Sequence, residues 1–328
     1  GRNLIVSIDG TSNQFGVNNT NVIELHSHVD TKDQRQLKCY ISGIGTALPP
    51  SPWAITHWKV KLGNWIDLAI AWYERRFCLL YRWLMDHYLP GDKIFLFGFS
   101  RGAYQIRTLA GIIGTLGLLE AGNKSMIPLC VYQVDKSKRT LHSSIKDQVA
   151  NFKRTFSHSN VQVHFVGAWY TRDTVSSVGL FRSKPLLLKD QTDHICFFRH
   201  ALALDERRVK FIPEYLERQP ETQKRQEKER HEKEEEARRK SKEVWFSGTH
   251  SDILPLLWME NEANLAGLIL KPRTGEDADY LWKGWETLKD DKPTESLKGL
   301  WRILEYLPIV SWTKDNNLDS VSRSVSFL

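Results

Sequence analysis

The feature that most constrains the fold is the pentapeptide Gly98-Phe99-Ser100-Arg101-Gly102, because of what stands on either side of it. Before it comes an apolar run over 94–97, which is typical of a buried strand. After it comes a helical pattern that extends from 103 to about 119. A Gly-x-Ser-x-Gly sequence between a strand and a helix is typical of the sharp turn that presents a nucleophilic serine at the edge of an α/β sheet. The sequence therefore predicts that Ser100 lies on such a turn.

Apolar runs alternate with helical patterns along most of the chain. Strands are predicted at 4–8, 37–41, 161–166 and 244–246, and helices at 21–29, 58–88, 144–156, 194–204 and 253–270. Alternating strands and helices are typical of an α/β fold in which helices flank a mainly parallel sheet. The expected catalytic domain covers 1–270, and a Trp-rich C-terminal extension, to which the sequence assigns no fold, covers 271–328.

The charge pattern argues against nucleic acid as a partner. The net charge is +7, but the most densely charged segment, 214–243, holds ten acidic and ten basic residues, so it is no basic arm. Glutamates four residues ahead of Lys or Arg, and the lack of an apolar face, predict a solvated helical insertion. The remaining basic excess is compatible with contact with an anionic lipid surface.

The cysteines indicate whether the chain holds disulfides or a metal, and the hydropathy pattern indicates in which cellular compartment it is expected. The four cysteines are far apart and include no Cys-x-x-Cys pair, so the sequence predicts neither a disulfide framework nor a zinc cluster, and no metal or other cofactor. Charged residues interrupt the most apolar stretch, 66–89, and no signal peptide is visible. A cytoplasmic location is the resulting expectation.

A serine nucleophile requires a base and a carboxylate that orients the base. In α/β-hydrolases these groups follow the serine in the order acid, then histidine, each on a loop after a strand. Asp173 follows the strand predicted at 161–166, and His250 follows the one at 244–246. The order leaves Asp190, Asp193 and Asp205 as competitors for the acid.

The transition state also needs hydrogen-bond donors for its oxyanion. One candidate is the Arg101 amide, at the start of the helix after Ser100. The second is the turn Asp9-Gly10-Thr11, because the first strand of such a sheet lies beside the serine strand. Gly10 and Thr11 are therefore candidate oxyanion residues, with a plain polar turn as the alternative interpretation.

Together these motifs resemble a known family, the type VI secretion phospholipase effector-like catalytic domain, which is abundant in filamentous fungi. The resemblance covers roughly 3–270, and the residues that carry it are Ile8-Asp9-Gly10-Thr11, Thr20-Asn21-Val22, Gly43-Ile44-Gly45-Thr46, the Ser100 pentapeptide with Ala103-Tyr104, Asp173-Thr174-Val175-Ser176-Ser177-Val178-Gly179, the segment 201–208, and Trp245-Phe246-Ser247-Gly248-Thr249-His250-Ser251-Asp252. It implies a fungal protein with an α/β-hydrolase fold. It also implies a triad of Ser100, Asp173 and His250 and the cleavage of phospholipid acyl esters.

Two loops depart from the family pattern. Residues 170–172 stand between Trp169 and Asp173, and a glycine run expected after Asp252 is absent. Three functions therefore remain open. The first is a serine hydrolase that cleaves lipid or acyl esters, and the second is a catalytically impaired interaction module on the same scaffold. A peptidase or thioesterase on this fold is a third. The hydrolase hypothesis implies a lipid substrate and peripheral contact with a membrane, whereas the oligomeric state is not predicted.

Overall fold

The structure, a computed structural model of the 328-residue chain, describes residues 1–10, 19–32, 34–42, 78–127, 143–158, 160–169, 194–204, 240–247, 254–273, 309–312 and 318–321. Within these ranges the main sheet contains β1 (Asn3–Ile8), β2 (Gln36–Ile41), β3 (Lys93–Phe99), β4 (Val163–Trp169), β5 (Ile195–Ala203) and β6 (Ser241–Phe246). All neighbours pair in parallel, in the order β2-β1-β3-β4-β5-β6. This confirms the predicted α/β fold with a parallel sheet.

Helices cover both faces of the sheet. They are α1 (Asn21–His28), α2 (78–87), α3 (Arg101–Leu116), α4 (Ser143–Phe156) and α5 (Leu254–Leu265). The core that includes α2 and α3, with α4 packed against it, contains Val6, Ile8 and Leu96 of the strands. The core that includes α1 and α5 contains Ile5 and Phe97. Because both faces are buried, the strands read as nearly continuous apolar runs.

The helix predicted over 194–204 is wrong, because this segment forms β5. The side chains of Phe198, Ala201 and Leu202 are all buried, and so are Arg199 and His200 between them. A strand with both faces buried shows no period-2 alternation, so periodicity does not distinguish it from a buried helix. Its neighbours on either side, β4 and β6, decide the matter by pairing with it.

The charged segment needs a correction at its end. Residues 241–243 belong to β6 and are not part of a solvated helix. Lys242 Nζ lies 2.8 Å from Glu262 Oε1, and Glu243 Oε1 lies 3.0 Å from Nδ1 of the buried His200. The segment from 214 to 239 lies outside the described residues.

Two boundaries near the C-terminus also differ from the sequence prediction. The helix predicted to 270 ends at Leu265, and Gly267 takes a φ of +99°, which turns the chain out of the helix. Further on, β7 (Ile309–Trp312) and β8 (Leu318–Val321) form an antiparallel pair in the extension for which no element was predicted. Across the part of the chain that the structure describes, no helix combines the length and hydropathy needed to cross a bilayer.

Candidate active site

Ser100 occupies the sharp strand-to-helix turn that the sequence predicts. It stands between Phe99, the last residue of β3, and Arg101, the first residue of α3. Its backbone takes φ = 56° and ψ = −117°, in a region where a non-glycine residue costs about 1–3 kcal/mol. Such a conformation persists only where the surrounding structure imposes it.

Two glycines allow this turn to form. A Cβ on Gly98 would lie 2.5 Å from the carbonyl oxygen of Gly102. A Cβ on Gly102 would collide with the carbonyl oxygen of Ile8, at the end of β1. Both glycines are therefore required by close backbone approach, and the approach at Gly102 brings the start of α3 against β1.

A backbone hydrogen bond attaches the serine to the neighbouring strand β4. The Ser100 amide donates to the Trp169 carbonyl, at the end of β4, over 2.8 Å. Although Ser100 is the N-cap residue of α3, its side chain makes no capping hydrogen bond. The residue is 8% exposed. The structure also extends β4 three residues beyond the predicted strand, so the segment that leads to Asp173 starts beside the serine.

Arg101 opens α3 as predicted. The first amides of a helix point out of its N-terminus, where the helix dipole favours negative charge. The side chain is partly buried, and this desolvation lowers the pKa of the guanidinium from its usual range. A positive end of a helix therefore faces the serine turn.

Gly10 packs against the serine from the side of β1. A Cβ on Gly10 would lie 2.8 Å from Cδ1 of Phe99 and 3.3 Å from Cβ of Ser100. The Gly10 amide donates to Oδ1 of Asp9 over 2.7 Å. Gly10 and Ser100 are therefore in contact, as predicted, and the Gly10 amide is hydrogen-bonded to the Asp9 carboxylate.

Sequence reasoning assigned no role to the Asp9 carboxylate, which the structure buries beside the serine turn. Thr20 and Tyr40 also donate to it. The available signal was an aspartate directly after the first strand, at the sheet edge where the serine was expected. Its two distant donors lie 11 and 31 positions further along the chain, and no local pattern connects them with it.

The other residues expected at the site lie outside the described residues. They are Thr11, Asp173 and His250, together with the competitors Asp190, Asp193 and Asp205. The strands that lead toward two of them are described: β4 ends at Trp169, and β6 ends at Phe246. Within the described ranges, no three histidine, cysteine or carboxylate side chains gather closely enough to hold a metal ion.

Comparison with known proteins identifies the family. Residues 2–270 match the family model described as "T6SS, Phospholipase effector Tle1-like, catalytic domain". The chain belongs to this family. The match confirms the resemblance carried by the sequence motifs, and it covers the whole of the six-stranded sheet.

A curated relative that matches this chain is much longer than the chain. The uncharacterized protein YEL023C of Saccharomyces cerevisiae is 33% identical in an alignment 228 residues long that covers 64% of this chain and 32% of the yeast protein. The chain thus spans about a third of the curated relative that it matches.

Two solved structures are similar at lower identity. An uncharacterized protein from Pseudomonas aeruginosa is 14% identical, with a TM-score of 0.43, over 90% of this chain and 52% of that one. The Tle1 effector bound to the VgrG spike of the type VI secretion system is 19% identical, with a TM-score of 0.35, over 76% of this chain and 50% of that one.

Proposed function

We propose that the protein is a serine hydrolase that cleaves carboxylic acyl esters of lipids, with Ser100 as its nucleophile. The observation that carries the proposal is the strained backbone of Ser100 between β3 and the N-terminus of α3. A turn of this kind keeps the hydroxyl out of the helix cap and beside donors for a developing oxyanion. Membership of a phospholipase effector family favours a lipid ester as the substrate.

In the proposed reaction the Ser100 hydroxyl attacks the acyl carbonyl, and His250 accepts the hydroxyl proton. The tetrahedral intermediate then expels the alcohol, which takes that proton from His250, and leaves an acyl-enzyme. Water, deprotonated by His250, hydrolyses the acyl-enzyme and restores Ser100. Asp173 holds the imidazole in the required tautomer and stabilises the imidazolium.

The length of the chain between β6 and His250 supports this assignment. Strands β3 and β6 are three positions apart in the sheet, which is about 14 Å at the usual spacing. His250 follows Phe246 by four residues, and four extended residues span about 14 Å before the side chain is added. The tether is thus long enough to bring the imidazole to Ser100.

Chain connectivity also ranks the candidate acids. Asp173 follows Trp169 by four residues, and the Trp169 carbonyl accepts the Ser100 amide. Asp205 directly follows Leu204, at the carboxyl end of β5. Asp190 and Asp193 precede β5 and so connect to the opposite edge of the sheet. Connectivity therefore disfavours Asp190 and Asp193, and between the other two the family resemblance favours Asp173, so that Asp205 is the comparison.

The proposed oxyanion donors are the amides of Arg101 and Thr11. Arg101 contributes the helix N-terminus, whose dipole favours the developing negative charge. Gly10 acts as the spacer that packs against Ser100, since its own amide is bonded to Asp9. No charged side chain is needed to neutralise the oxyanion in this arrangement.

A fluorophosphonate probe tests the nucleophile. We expect the wild type to be labelled and Ser100→Ala to be unlabelled, because only an activated serine attacks the probe. Ser157→Ala is the matched control, since Ser157 is also 8% exposed and its hydroxyl donates to the Leu116 carbonyl. A folded wild type that takes no label would overturn the proposal and favour the interaction module.

Substrate assays with the same variants test the remaining claims. We expect acyl release from phospholipid vesicles, faster when anionic lipid is included because the net charge is +7. Asp173→Asn should lower kcat on the order of 10⁴-fold, whereas Asp205→Asn should leave it nearly unchanged. Hydrolysis of p-nitrophenyl esters without acyl release from any phospholipid would refute the lipid assignment and retain the esterase.

A further inference from the structure

The Asp9 carboxylate is the centre of a buried hydrogen-bond network at the carboxyl edge of the sheet. Asp9 directly follows β1 and is only 1% exposed. Its Oδ1 accepts from the Gly10 amide over 2.7 Å and from Thr20 Oγ1 over 3.0 Å. Its Oδ2 accepts from the Tyr40 hydroxyl over 3.0 Å. Burial of a carboxylate is unfavourable unless such donors replace water.

The donors connect three parts of the fold. Gly10 begins the loop between β1 and α1, and Thr20 ends it as the N-cap residue of α1. Tyr40 lies on the neighbouring strand β2. One carboxylate thus holds both ends of the loop to each other and to the sheet, although residues 11–18 between those ends lie outside the described ranges.

The same loop end contacts the serine turn. Gly10 packs against Phe99 and Ser100, and a Cβ on Gly102 would lie 2.8 Å from the carbonyl oxygen of Asp9. The backbone of Asp9 and Gly10 therefore packs against both Ser100 and the start of α3. A shift of this backbone would remove the packing that holds Ser100 in place.

We propose that Asp9 is a positioning residue for catalysis, which holds the Gly10 backbone against Ser100 and so keeps the serine turn in its reactive geometry. The proposal rests on the proposed hydrolase function. Charge-assisted hydrogen bonds to a carboxylate are about twice as strong as neutral ones, so Asp9 fixes the loop more firmly than an amide in its place. Asp9 acts through the Gly10 backbone and does not contact the substrate.

The test compares variants of the network in the full chain, with ester turnover and fluorophosphonate labelling as readouts. Asp9→Asn should lower kcat and the maximal labelling rate roughly 10–100-fold, because a displacement of about 1 Å has effects of that size. KM and the concentration for half-maximal labelling should change less than about twofold, since the binding surface is retained. Tyr40→Phe and Thr20→Val should each give part of this loss, and Thr20→Ser should restore the rate lost in Thr20→Val.

Asp92→Asn is the matched control for a purely structural effect. Asp92 is also a buried carboxylate, 8% exposed, which accepts from Arg2 and from the Leu89 amide at the amino edge of the same sheet. We expect its replacement to lower the melting temperature and to leave kcat unchanged. If Asp9→Asn likewise lowers only the melting temperature, the positioning role is refuted.

The outcomes separate this proposal from the hydrolase assignment. A wild type that takes no label refutes both, whereas a labelled wild type with an equally reactive Asp9→Asn variant refutes only the positioning role. Where Asp9→Asn does not fold, Tyr40→Phe and Thr20→Val decide, because each removes one donor to the carboxylate and leaves the carboxylate in place. Thr20→Val also removes the N-cap acceptor of the Ile23 amide, so Tyr40→Phe is the cleaner of the two. Full kcat in both of these variants also refutes the role.

Discussion

Ser100 holds a backbone conformation that its own sequence does not favour, so its neighbours must impose it. The strongest constraint is at Gly102, which has no room for a side chain next to the Ile8 carbonyl. Both groups belong to backbone in regular elements, so neither moves easily. The packing of α3 on β1, and with it the serine turn, therefore depends on the absence of a side chain at Gly102.

Gly102→Ala tests this dependence. We expect unfolding free energy to fall by roughly 2–4 kcal/mol, because the new methyl group overpacks a backbone contact. Urea unfolding measures the loss, and fluorophosphonate labelling should fall with it. Gly122→Ala is the control: Gly122 has open space around it, so only the strain of its positive φ of +102°, about 1 kcal/mol, is expected. Equal losses in the two variants would contradict the packing argument.

The lowered pKa of His26 predicts how the free energy of unfolding depends on pH. Its Nδ1 lies 2.9 Å from Ser7 Oγ, and burial, with the charges of Lys38 and Lys271, lowers its pKa to about 4. Between pH 6.5 and pH 4 the unfolded chain therefore binds a proton that the folded chain does not. Stability from His26 is thus complete above about pH 6.5 and is lost as the pH falls toward 4.

Urea unfolding at pH 7 and pH 5 measures this effect. We expect the wild type to lose on the order of 2 kcal/mol through His26 over this interval. His26→Asn, which keeps a polar group near Ser7 and does not titrate, should show a correspondingly smaller loss. An unchanged difference between the two pH values in His26→Asn would contradict the assignment. His87→Asn, at an exposed position, controls for replacement of a histidine.

Helix α5 is attached to the sheet through a buried carboxylate. Glu262 is 7% exposed and pairs with the buried Arg199 of β5 and with Lys242 of β6. Burial by itself raises the pKa of Glu262, but hydrogen bonds from Lys242 and Arg199 lower it overall below its ordinary value. Helix α5 begins four residues after His250, the proposed base.

Glu262→Gln should destabilise the protein by about 3–5 kcal/mol, because it leaves the Arg199 guanidinium buried without its counter-charge. Lys242→Met removes a partner whose side chain is 42% exposed and should cost less than about 1 kcal/mol. Replacing both members of the buried pair, as Arg199→Met with Glu262→Leu, should recover much of the loss. Thermal and urea unfolding of the three variants provide the measurement, and a double variant as unstable as Glu262→Gln would contradict the argument.

Contacts of residues 270–273 indicate where the folded unit that contains the main sheet ends. Leu270 bridges to Val29, the Lys271 amide donates to the His28 carbonyl over 2.8 Å, and Arg273 pairs with Glu260 of α5. These contacts attach the end of the family-matched region to α1 and α5. They extend three residues beyond the end of the match at 270.

A chain of residues 1–273 should therefore fold cooperatively and keep Ser100-dependent labelling. A chain of residues 1–265 should melt at a lower temperature, because it lacks the contacts of Leu270 and Lys271 with Val29 and His28 and the ion pair of Arg273 with Glu260. Circular dichroism melts and fluorophosphonate labelling measure both properties. Aggregation of the 1–273 chain would show that the C-terminal extension is part of the same folding unit.

The strand, turn and helix around Ser100 were predictable because each signal is local. An apolar run, two glycines around a serine and a helical pattern lie within 94–119, and their order alone requires a sharp turn. The strands near 4–8 and 37–41 were recognised for the same reason. Asp173 and His250 stay predictions, because the structure does not describe them.

Tertiary contacts decided what local patterns left ambiguous. Residues 195–203 form a strand because β4 and β6 pair with it on either side, and 241–243 join the sheet because β5 offers an edge. Asp9 gains its donors from Thr20 and Tyr40, which are brought together only when α1 and β2 pack beside β1. Sequence patterns report conformational preferences over a few residues, whereas burial and the choice of hydrogen-bond partner depend on segments that are distant in the chain.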